Sequence, residues 1–489
     1  MYKAYVTTLK NVRPHPNADR MKLADCFGNT VCVSLDAAEG EIVVYFPVDG
    51  QLSEEFCQVH DLVRRKDENG NLAGGYLDPE KRNIRAIKLR GEKSDGLTMP
   101  LSCLVYTGVN LDDIDVGMSF DTINGHEICC KYVPKTNVRS GKVSEGNKTR
   151  KHKTPVAPLF AEHADTEQLA YNLGAFKADD EIEITLKMHG TSQRTGYLPT
   201  LKGYADSWGC RASNAFRHIL NKMGVYHGED KHDGKPIYDW GYVTGTRRTV
   251  LDDFEGGYYG SNEFREQHSK TFEGKLMKGE TVYYEVVGFT HTGAPIMASA
   301  DNKKMNDKDF IKQYGKETVF SYGCSPTGTA VYSKGEYGAI IVKEGLPQSD
   351  IYVYRMTMTN EDGFVVEYTP DFMRYRCEQM SVKTVPVLWR GSIPLTTDDL
   401  ESGIPGKRIL MREGQNAGEW IKDVTEQYYD GPDPVGKTHV REGVVVRIIN
   451  RPKFCAYKHK NFAFKVLEGL IKDVAEAPDI EEAEGVAAE

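Results

Sequence analysis

The sequence contains no apolar run approaching the ~20 residues that span a bilayer as a helix. Its first residues, Met1-Tyr2-Lys3-Ala4-Tyr5-Val6, alternate like a strand where a secretory leader would carry a hydrophobic segment. The expectation is a soluble, cytoplasmic protein with no membrane contact. Any C-x-x-C pair is missing too: the ten cysteines are scattered, and the adjacent Cys129-Cys130 is not a metal-ligand spacing. That excludes a zinc ribbon and a disulfide framework, so the thiols are expected to be reduced and the sequon Asn147-Lys148-Thr149 silent. Nor is there an excess of basic residues. A net charge of -9 argues against indiscriminate binding of polyanions.

What is present is an ordinary globular composition, 39% hydrophobic and 27% charged, in a chain of 489 residues. That length exceeds what one core usually organises and implies two domains, or one heavily decorated domain. Charge is uneven along the chain. Residues 473–489 are rich in Glu and Ala and read as an acidic, disordered tail. From Lys135 to Lys153 the chain turns basic and loop-like, ending at Pro155 and Pro158. Residues 135–158 therefore read as a linker, either a solvated connector or one that touches a phosphate backbone.

Ahead of the linker, residues 1–134 carry short alternating runs, among them Tyr2 to Leu9, Thr30 to Leu35, Glu41 to Val48 and Asn83 to Leu89, separated by Gly and Asn clusters. Many short strands suggest a small barrel. The segments His15-Pro16-Asn17-Ala18-Asp19-Arg20 and Leu89-Arg90-Gly91-Glu92-Lys93-Ser94-Asp95-Gly96-Leu97 resemble the OB-fold tRNA-binding module found beside some tRNA synthetases. That resemblance implies nucleic-acid contact through a basic face with aromatic platforms, for which Lys88, Arg90, Lys93, Tyr45 and Phe46 are the available residues.

Residues 159–472 hold the chemistry. In Glu181-Ile182-Glu183-Ile184-Thr185-Leu186-Lys187, period-two alternation sets Glu181, Glu183, Thr185 and Lys187 on one face and Ile182, Ile184 and Leu186 on the other. Lys187 should thus point into whatever that polar face lines. A lysine nucleophile must be free of its proton, and neighbouring cations or a metal are the means of lowering its pKa. Gly190 leaves backbone room for a phosphate, and Thr191 and Ser192 add donors.

The run Lys187-Met188-His189-Gly190-Thr191-Ser192 resembles motif I of the covalent nucleotidyltransferases, in the K-x-H-G form of ATP-dependent RNA ligases. Further segments follow in that superfamily's order. Tyr283-Tyr284-Glu285-Val286-Val287-Gly288 resembles motif III, which implies that Glu285 holds the ribose. Ile351-Tyr352-Val353-Tyr354-Arg355-Met356 resembles motif IIIa, with Tyr354 stacked on adenine. Arg441-Glu442-Gly443-Val444-Val445-Val446-Arg447 resembles motif IV, with Glu442 as the metal-binding carboxylate. Tyr457-Lys458-His459-Lys460-Asn461 resembles motif V, with Lys458 and Lys460 on one strand face toward the α-phosphate. Thr246-Arg247-Arg248-Thr249 is similar to an arginine element that contacts phosphate; either Arg247 or Arg248 could supply it, and Arg247 is preferred. His189 would orient phosphate or a water, or complete a turn.

With an OB-like domain in front and only a short segment after Lys460, the chain resembles the fifth RNA ligase family. The implied fold class is α+β: an N-terminal OB-like β-barrel, then an ATP-grasp-like nucleotidyltransferase domain of antiparallel sheets with flanking helices. The resemblance implies ATP as AMP donor, a divalent cofactor (Mg2+ or Mn2+), and a monomer sealing 3′-OH/5′-phosphate nicks in RNA or RNA/DNA duplexes. A DNA ligase, a capping guanylyltransferase and a non-catalytic RNA-binding protein on a degenerate ligase scaffold stay open as alternatives. Long insertions near 199–238 and 298–337 depart from the family pattern. Gly431-Pro432-Asp433-Pro434-Val435-Gly436-Lys437-Thr438 matches the P-loop pattern letter for letter. Its two prolines remove N–H donors and no hydrophobic strand precedes it, so it reads as a turn.

Overall fold

The structure is a computed structural model that describes residues 2–66, 72–132, 154–164, 166–224, 230–251, 254, 262–297, 322–324, 326, 329–333, 340–344, 347–394, 411–412, 414–435 and 440–466. Residues 135–153 of the expected linker, the expected acidic tail and most of the insertion near 298–337 lie outside them. The described part is mixed α and β, built mostly of antiparallel sheets with few helices. Among the described residues no helix is long and apolar enough to cross a membrane.

Residues up to 132 form several small sheets. A four-stranded one takes its strands in the order Leu97–Pro100, Ile42–Phe46, Ala4–Thr8, Ser119–Phe120, beside a three-stranded meander from Lys10 to Ser34. Among the described residues the hydrogen-bonded strand order does not close into a ring. The His15 turn has a structural use: the ring lies 3.1 Å from the Leu89 carbonyl, and Asn17 Nδ2 donates to the Arg90 carbonyl at 3.0 Å. Tyr45 and Phe46, expected as stacking platforms, are instead fully buried. They sit where the alternation of their strand breaks and both faces are covered, and Tyr45 Oη donates to the Asp95 carbonyl at 2.6 Å. No base could reach either ring without unpacking the core.

Two five-stranded sheets and a two-stranded one, Thr329–Ser333 with Ile340–Glu344, make up the rest of the described strands. The first has the order Glu167–Gln168, Cys455–Lys460, Gly443–Ile448, Glu181–Leu186, Val387–Ser392; the second runs Pro236–Gly245, Thr191–Tyr204, Glu280–Gly288, Ser349–Thr359, Val365–Glu367. One helix packs on the first sheet, and two, Glu263–Lys270 and Pro370–Met380, pack on the second. On the first sheet Ile182, Ile184, Val444, Val446 and Ile448 pack against Trp420, Ile421 and Val424 of the helix Ala417–Glu426. A reciprocal capping box between Asn416 and Glu419 starts that helix. On the second sheet Val282, Tyr284, Val286 and Val353 meet Met373, Cys377 and Met380 of the helix Pro370–Met380, which begins at the Thr369 cap with Pro370 in its first turn. Burying each such large apolar side chain is worth roughly 1.5–3 kcal/mol. Arg376 also forks onto Glu280, with contacts of 2.8 and 2.9 Å, and ties helix to strand.

The polar faces of the two sheets are joined by ion pairs. Glu367, on the edge strand of the second sheet, receives Arg355 Nε at 3.0 Å and Arg447 Nη2 at 3.2 Å, the latter from the first sheet. Both guanidiniums lie over the Phe454 ring, at 4.7 and 5.1 Å. Glu183 of the lysine strand is taken up by Arg374 at 2.8 Å. These pairs close one end of the shared polar face, and the half-buried Lys187 and Lys460 stand at the other.

Candidate active site

The lysine strand Glu181–Leu186 pairs antiparallel with Gly443–Ile448, which in turn pairs with Cys455–Lys460. Alternation puts Glu183 and Thr185 opposite the buried Ile182, Ile184 and Leu186, as expected from the sequence. Just past its end, the Lys187 N–H donates to the Gly443 carbonyl at 3.0 Å, and Gly443 faces Lys460 in register. Lys187, Glu442 and Lys460 are thereby brought to one corner.

At that corner Lys187 Nζ is 2.7 Å from Glu442 Oε1, and Lys460 Nζ is 3.6 Å from the same oxygen. His189 Nδ1 lies 3.4 Å from Glu442 Oε2. Burial would push the Glu442 carboxyl up, but Lys187, the hydrogen bond from His189 and the Lys460 charge together outweigh it. The carboxyl is held well below the usual carboxylate range. Lys458 is half-buried and, two residues from Lys460 on the same strand, lies in register opposite Val445. His459 points the other way into the core beside Tyr429, where burial, then the charges of Lys465 and Lys422, lower its pKa to about 3.

His189 is held on every side. Its backbone N–H donates to Tyr322 Oη at 2.7 Å, and its ring meets Phe464 edge to face at 4.7 Å. Gly190 follows where the lysine strand passes to the second sheet, against the strand Glu280–Gly288. A Cβ there would lie 2.3 Å from the Val286 carbonyl oxygen and 2.9 Å from Glu285 Cγ, so no side chain fits.

On the second sheet Glu285 is half-buried and stands in register with Ser192 on one side and Tyr352 on the other. The hydroxyls of Ser192 and Tyr354 share a hydrogen bond of 2.8 Å. The Tyr354 ring lies 5.1 Å from that of His163, whose ring is also 5.4 Å from Tyr283. Tyr354 and Glu285 are therefore both neighbours of Ser192. Arg247 and Arg248 belong to a turn closed by Thr246 N–H donating to the Thr249 carbonyl at 2.8 Å; Arg247 is half-buried and Arg248 exposed.

Several residues that organise the site carried no signal in the sequence. Arg194, on the strand Thr191–Tyr204, is buried and donates to the carbonyls of Thr246 at 2.9 Å, Phe160 at 3.0 Å, Arg248 at 3.3 Å and Ala161. Its guanidinium stacks on the Phe160 ring at 4.1 Å, and the His163 N–H donates to the Arg247 carbonyl at 3.2 Å. One side chain thus fixes the arginine turn against the segment that carries His163. Arg265 does the same for the end of the run Lys187 to Ser192, donating to the Ser192 carbonyl at 3.1 Å and to Thr191 Oγ1 at 2.8 Å. Tyr322 comes from the insertion near 298–337. Of these, only the strand position of Arg194, on the polar side in alternation with Ser192, could have flagged it.

The P-loop look-alike is no phosphate cradle in its described part. Residues 431–435 make a turn in which Asp433 is fully buried and Pro432 bridges to Val440, and no helix follows Val440 before the strand Gly443–Ile448.

No family model matches the chain, and no curated protein matches it. Among solved structures it is similar to a Naegleria gruberi RNA ligase mutant with ATP and Mn, at 15% identity and a TM-score of 0.49, over 96% of this chain and 99% of that one. It is similar to another mutant of that ligase with AMP and Mn, at 15% identity and a TM-score of 0.49, over 95% and 98% of the two chains. The same ligase with PPi gives 14% identity and a TM-score of 0.48 over 94% and 97%. Likeness of this degree leaves the activity of the chain to be argued from its own residues.

Proposed function

We propose that this chain is an ATP-dependent RNA ligase of the covalent nucleotidyltransferase superfamily, with Lys187 as the residue that takes AMP. The observation that carries the reading is the contact of Lys187 with Glu442 at 2.7 Å, with Lys460 on the same carboxylate oxygen. A free-standing lysine on a strand would be one solvated cation among many. Here two ammonium groups converge on one buried carboxylate, so each disfavours the charge of the other, and the carboxylate, held ionised, can receive a cation.

In this reading the Lys187 amine attacks the α-phosphorus of ATP. The new N–P bond forms as the bond to pyrophosphate breaks, and the displaced proton passes to solvent. AMP is then transferred to the 5′-phosphate of a broken strand, and the adjoining 3′-OH displaces AMP to seal it. All three steps rest on alignment and charge neutralisation. Lys458 and Lys460 would neutralise the α-phosphoryl oxygens and Arg247 a further phosphate, while Tyr354 stacks on adenine and Glu285 accepts from the ribose hydroxyls. His189, buried against Phe464, would hold Glu442 in place.

The donor set suits a hard divalent ion. Glu442 supplies one carboxylate, and Mg2+ is typically bound through one or two carboxylates with the remaining ligands from phosphates and water. Such an ion supplies charge screening of the triphosphate.

The residues up to 132 would be the OB-like partner domain and the residues from 159 onward the adenylyltransferase domain, acting as a monomer on nicked duplexes with an RNA 3′-OH strand. The test is incubation with α-labelled ATP and Mg2+ or Mn2+, then challenge of the product with nicked duplexes ending in RNA or DNA. A covalent label lost in Lys187→Met and chased into sealed RNA-terminated strands is the expected result. A label that persists in Lys187→Met, or no label at all, overturns the reading.

A further inference from the structure

The insertion near 199–238 carries a helix that is packed the wrong way round for a core element. The strands Thr191–Tyr204 and Pro236–Gly245 extend as a hairpin, and the helix Trp208–Lys222 lies between them, capped by Ser207. At ~3.3 Å per residue the first of these strands alone carries the chain roughly 45 Å from the Lys187 corner.

A surface helix ordinarily turns its apolar stripe inward. This one docks through polar groups: Asn214 is its one buried residue, with Nδ2 donating to the Lys231 carbonyl at 2.7 Å and Oδ1 accepting the Lys231 N–H at 3.2 Å, and Cys210 Sγ donates to the same carbonyl at 3.0 Å. The opposite arc holds Trp208, Phe216 and Ile219, continued by Met223 at the helix end. They are 82%, 61%, 55% and 68% exposed. Helical spacing places all four within about a quarter-turn, with Arg211 and Lys222 along one edge. An exposed apolar patch of this kind marks an interaction site.

Charge says what kind of partner it fits. The neighbouring carboxylates are already engaged: Asp206 with His232 and two backbone N–H groups, Asp233 with Ser207, and Asp230 with His218. Lys202, Arg211, Lys222, Lys231 and Lys235 are exposed around them, and residues 199–238 carry six Lys and Arg against four Asp and Glu, a basic excess in a chain of net charge -9. Rings continue along the hairpin, with Tyr204 stacked on His232 at 3.7 Å, Tyr197 on Tyr242 at 4.7 Å, and Lys278 over Trp240 at 5.2 Å. Flat rings interleaved with cations suit successive unpaired bases and their phosphates.

We infer that the face of the helix Trp208–Lys222 binds a single-stranded polynucleotide, outside the lysine cleft, by stacking bases on Trp208 and Phe216 beside the cations Arg211 and Lys222. The choice of a polynucleotide over other polyanions rests on the ligase reading above. Stacking does not read the sugar, so RNA and DNA strands should both be held.

The full-length chain is titrated against fluorescein-labelled oligouridylate and oligothymidylate by anisotropy, with intrinsic tryptophan quenching as a second signal. Trp208→Ala and Phe216→Ala should each weaken binding about tenfold, and Trp208→Phe should restore most of it. Arg211→Gln with Lys222→Gln should flatten the salt dependence by roughly 0.7 per cation removed. Circular dichroism checks that each variant is folded. Binding that is the same in Trp208→Ala and the parent overturns the inference. So does an effect of Trp208→Ala seen only on anionic vesicles or on self-association in the ultracentrifuge. Covalent labelling with ATP, which reads the lysine cleft alone, is measured in parallel: its failure would sink the ligase reading while a Trp208-dependent strand affinity would still stand.

Discussion

Lys187 Nζ and Glu442 Oε1 are 2.7 Å apart across two adjacent antiparallel strands, and the register that joins them is fixed by the Lys187 N–H bond to Gly443. Lys187 and its counter-charge are therefore set by backbone geometry.

Glu442→Gln keeps the shape and removes the charge, leaving two ammonium groups facing each other without compensation. Covalent labelling by ATP should fall about 100-fold, and the fold should lose roughly 3 kcal/mol, as expected when one partner of a buried pair is removed. Since the Glu442 pKa is depressed in the folded state, its contribution is present above the unfolded value of ~4.3 and is lost as pH falls below it. Urea unfolding at pH 7 and pH 3 measures both; an unchanged midpoint in Glu442→Gln at pH 7 would contradict the pairing.

Gly190→Ala should be far more damaging than a methyl group suggests. Its Cβ would collide with the Val286 carbonyl at 2.3 Å and force the lysine segment away from Glu285. Overpacking of this kind costs about 1–3 kcal/mol. Thermal unfolding and ATP labelling should both suffer, and a variant with wild-type labelling would show that the close approach is dispensable.

Arg194→Lys replaces a planar five-donor fork with a point charge, so most of the carbonyl contacts to the 160–161 and 246–248 segments are lost. About 2 kcal/mol of stability should go. Faster amide exchange at Thr246 and His163, whose N–H groups close those segments, is the specific signature. Uniform acceleration across the chain would instead indicate general destabilisation.

Tyr354→Phe removes only the hydroxyl shared with Ser192, and ATP labelling should stay within a few-fold of the parent. Tyr354→Ala removes the ring, and the KM for ATP should rise about tenfold if the ring stacks on adenine. Equal KM values for the two variants would remove Tyr354 from the nucleotide site.

His268 is buried, with Nε2 2.8 Å from Ser349 Oγ, and burial, against the pull of Asp350, brings its pKa down to about 4. The unfolded chain takes up this proton near pH 6.5 and the folded one only near 4, so stability is full above 6.5 and declines as pH falls toward 4. The loss should reach roughly 3 kcal/mol. His268→Gln should flatten the stability profile between pH 6.5 and 4, and a parallel profile would contradict the assignment.

Local pattern made a good part of this legible. Alternation in 181–187 gave the strand and the polar side of Lys187, whereas Gly190, expected to leave room for a phosphate, makes room for the Val286 carbonyl of the neighbouring strand. The same logic misread Tyr45 and Phe46, because a strand covered on both faces loses the period on which exposure is judged. Arg194, Arg265 and Tyr322 were invisible for another reason: each acts on backbone groups of segments distant in sequence, and a hydrogen bond to a carbonyl leaves no pattern in the residue that accepts it. The polar docking of the helix Trp208–Lys222 was hidden as well, since its apolar stripe alone predicts burial.

The strand order Cys455–Lys460, Gly443–Ile448, Glu181–Leu186 has a consequence for synthesis. Lys187 emerges from the ribosome long before either neighbouring strand, and pairings of such long sequence separation form late and slowly. Lys187 must wait until the last of these strands is made before both of its charged neighbours, Glu442 and Lys460, are in place. On the proposed reading, a chain that ends before Glu442 would carry Lys187 without either charged neighbour, so such truncated products should take no label from ATP.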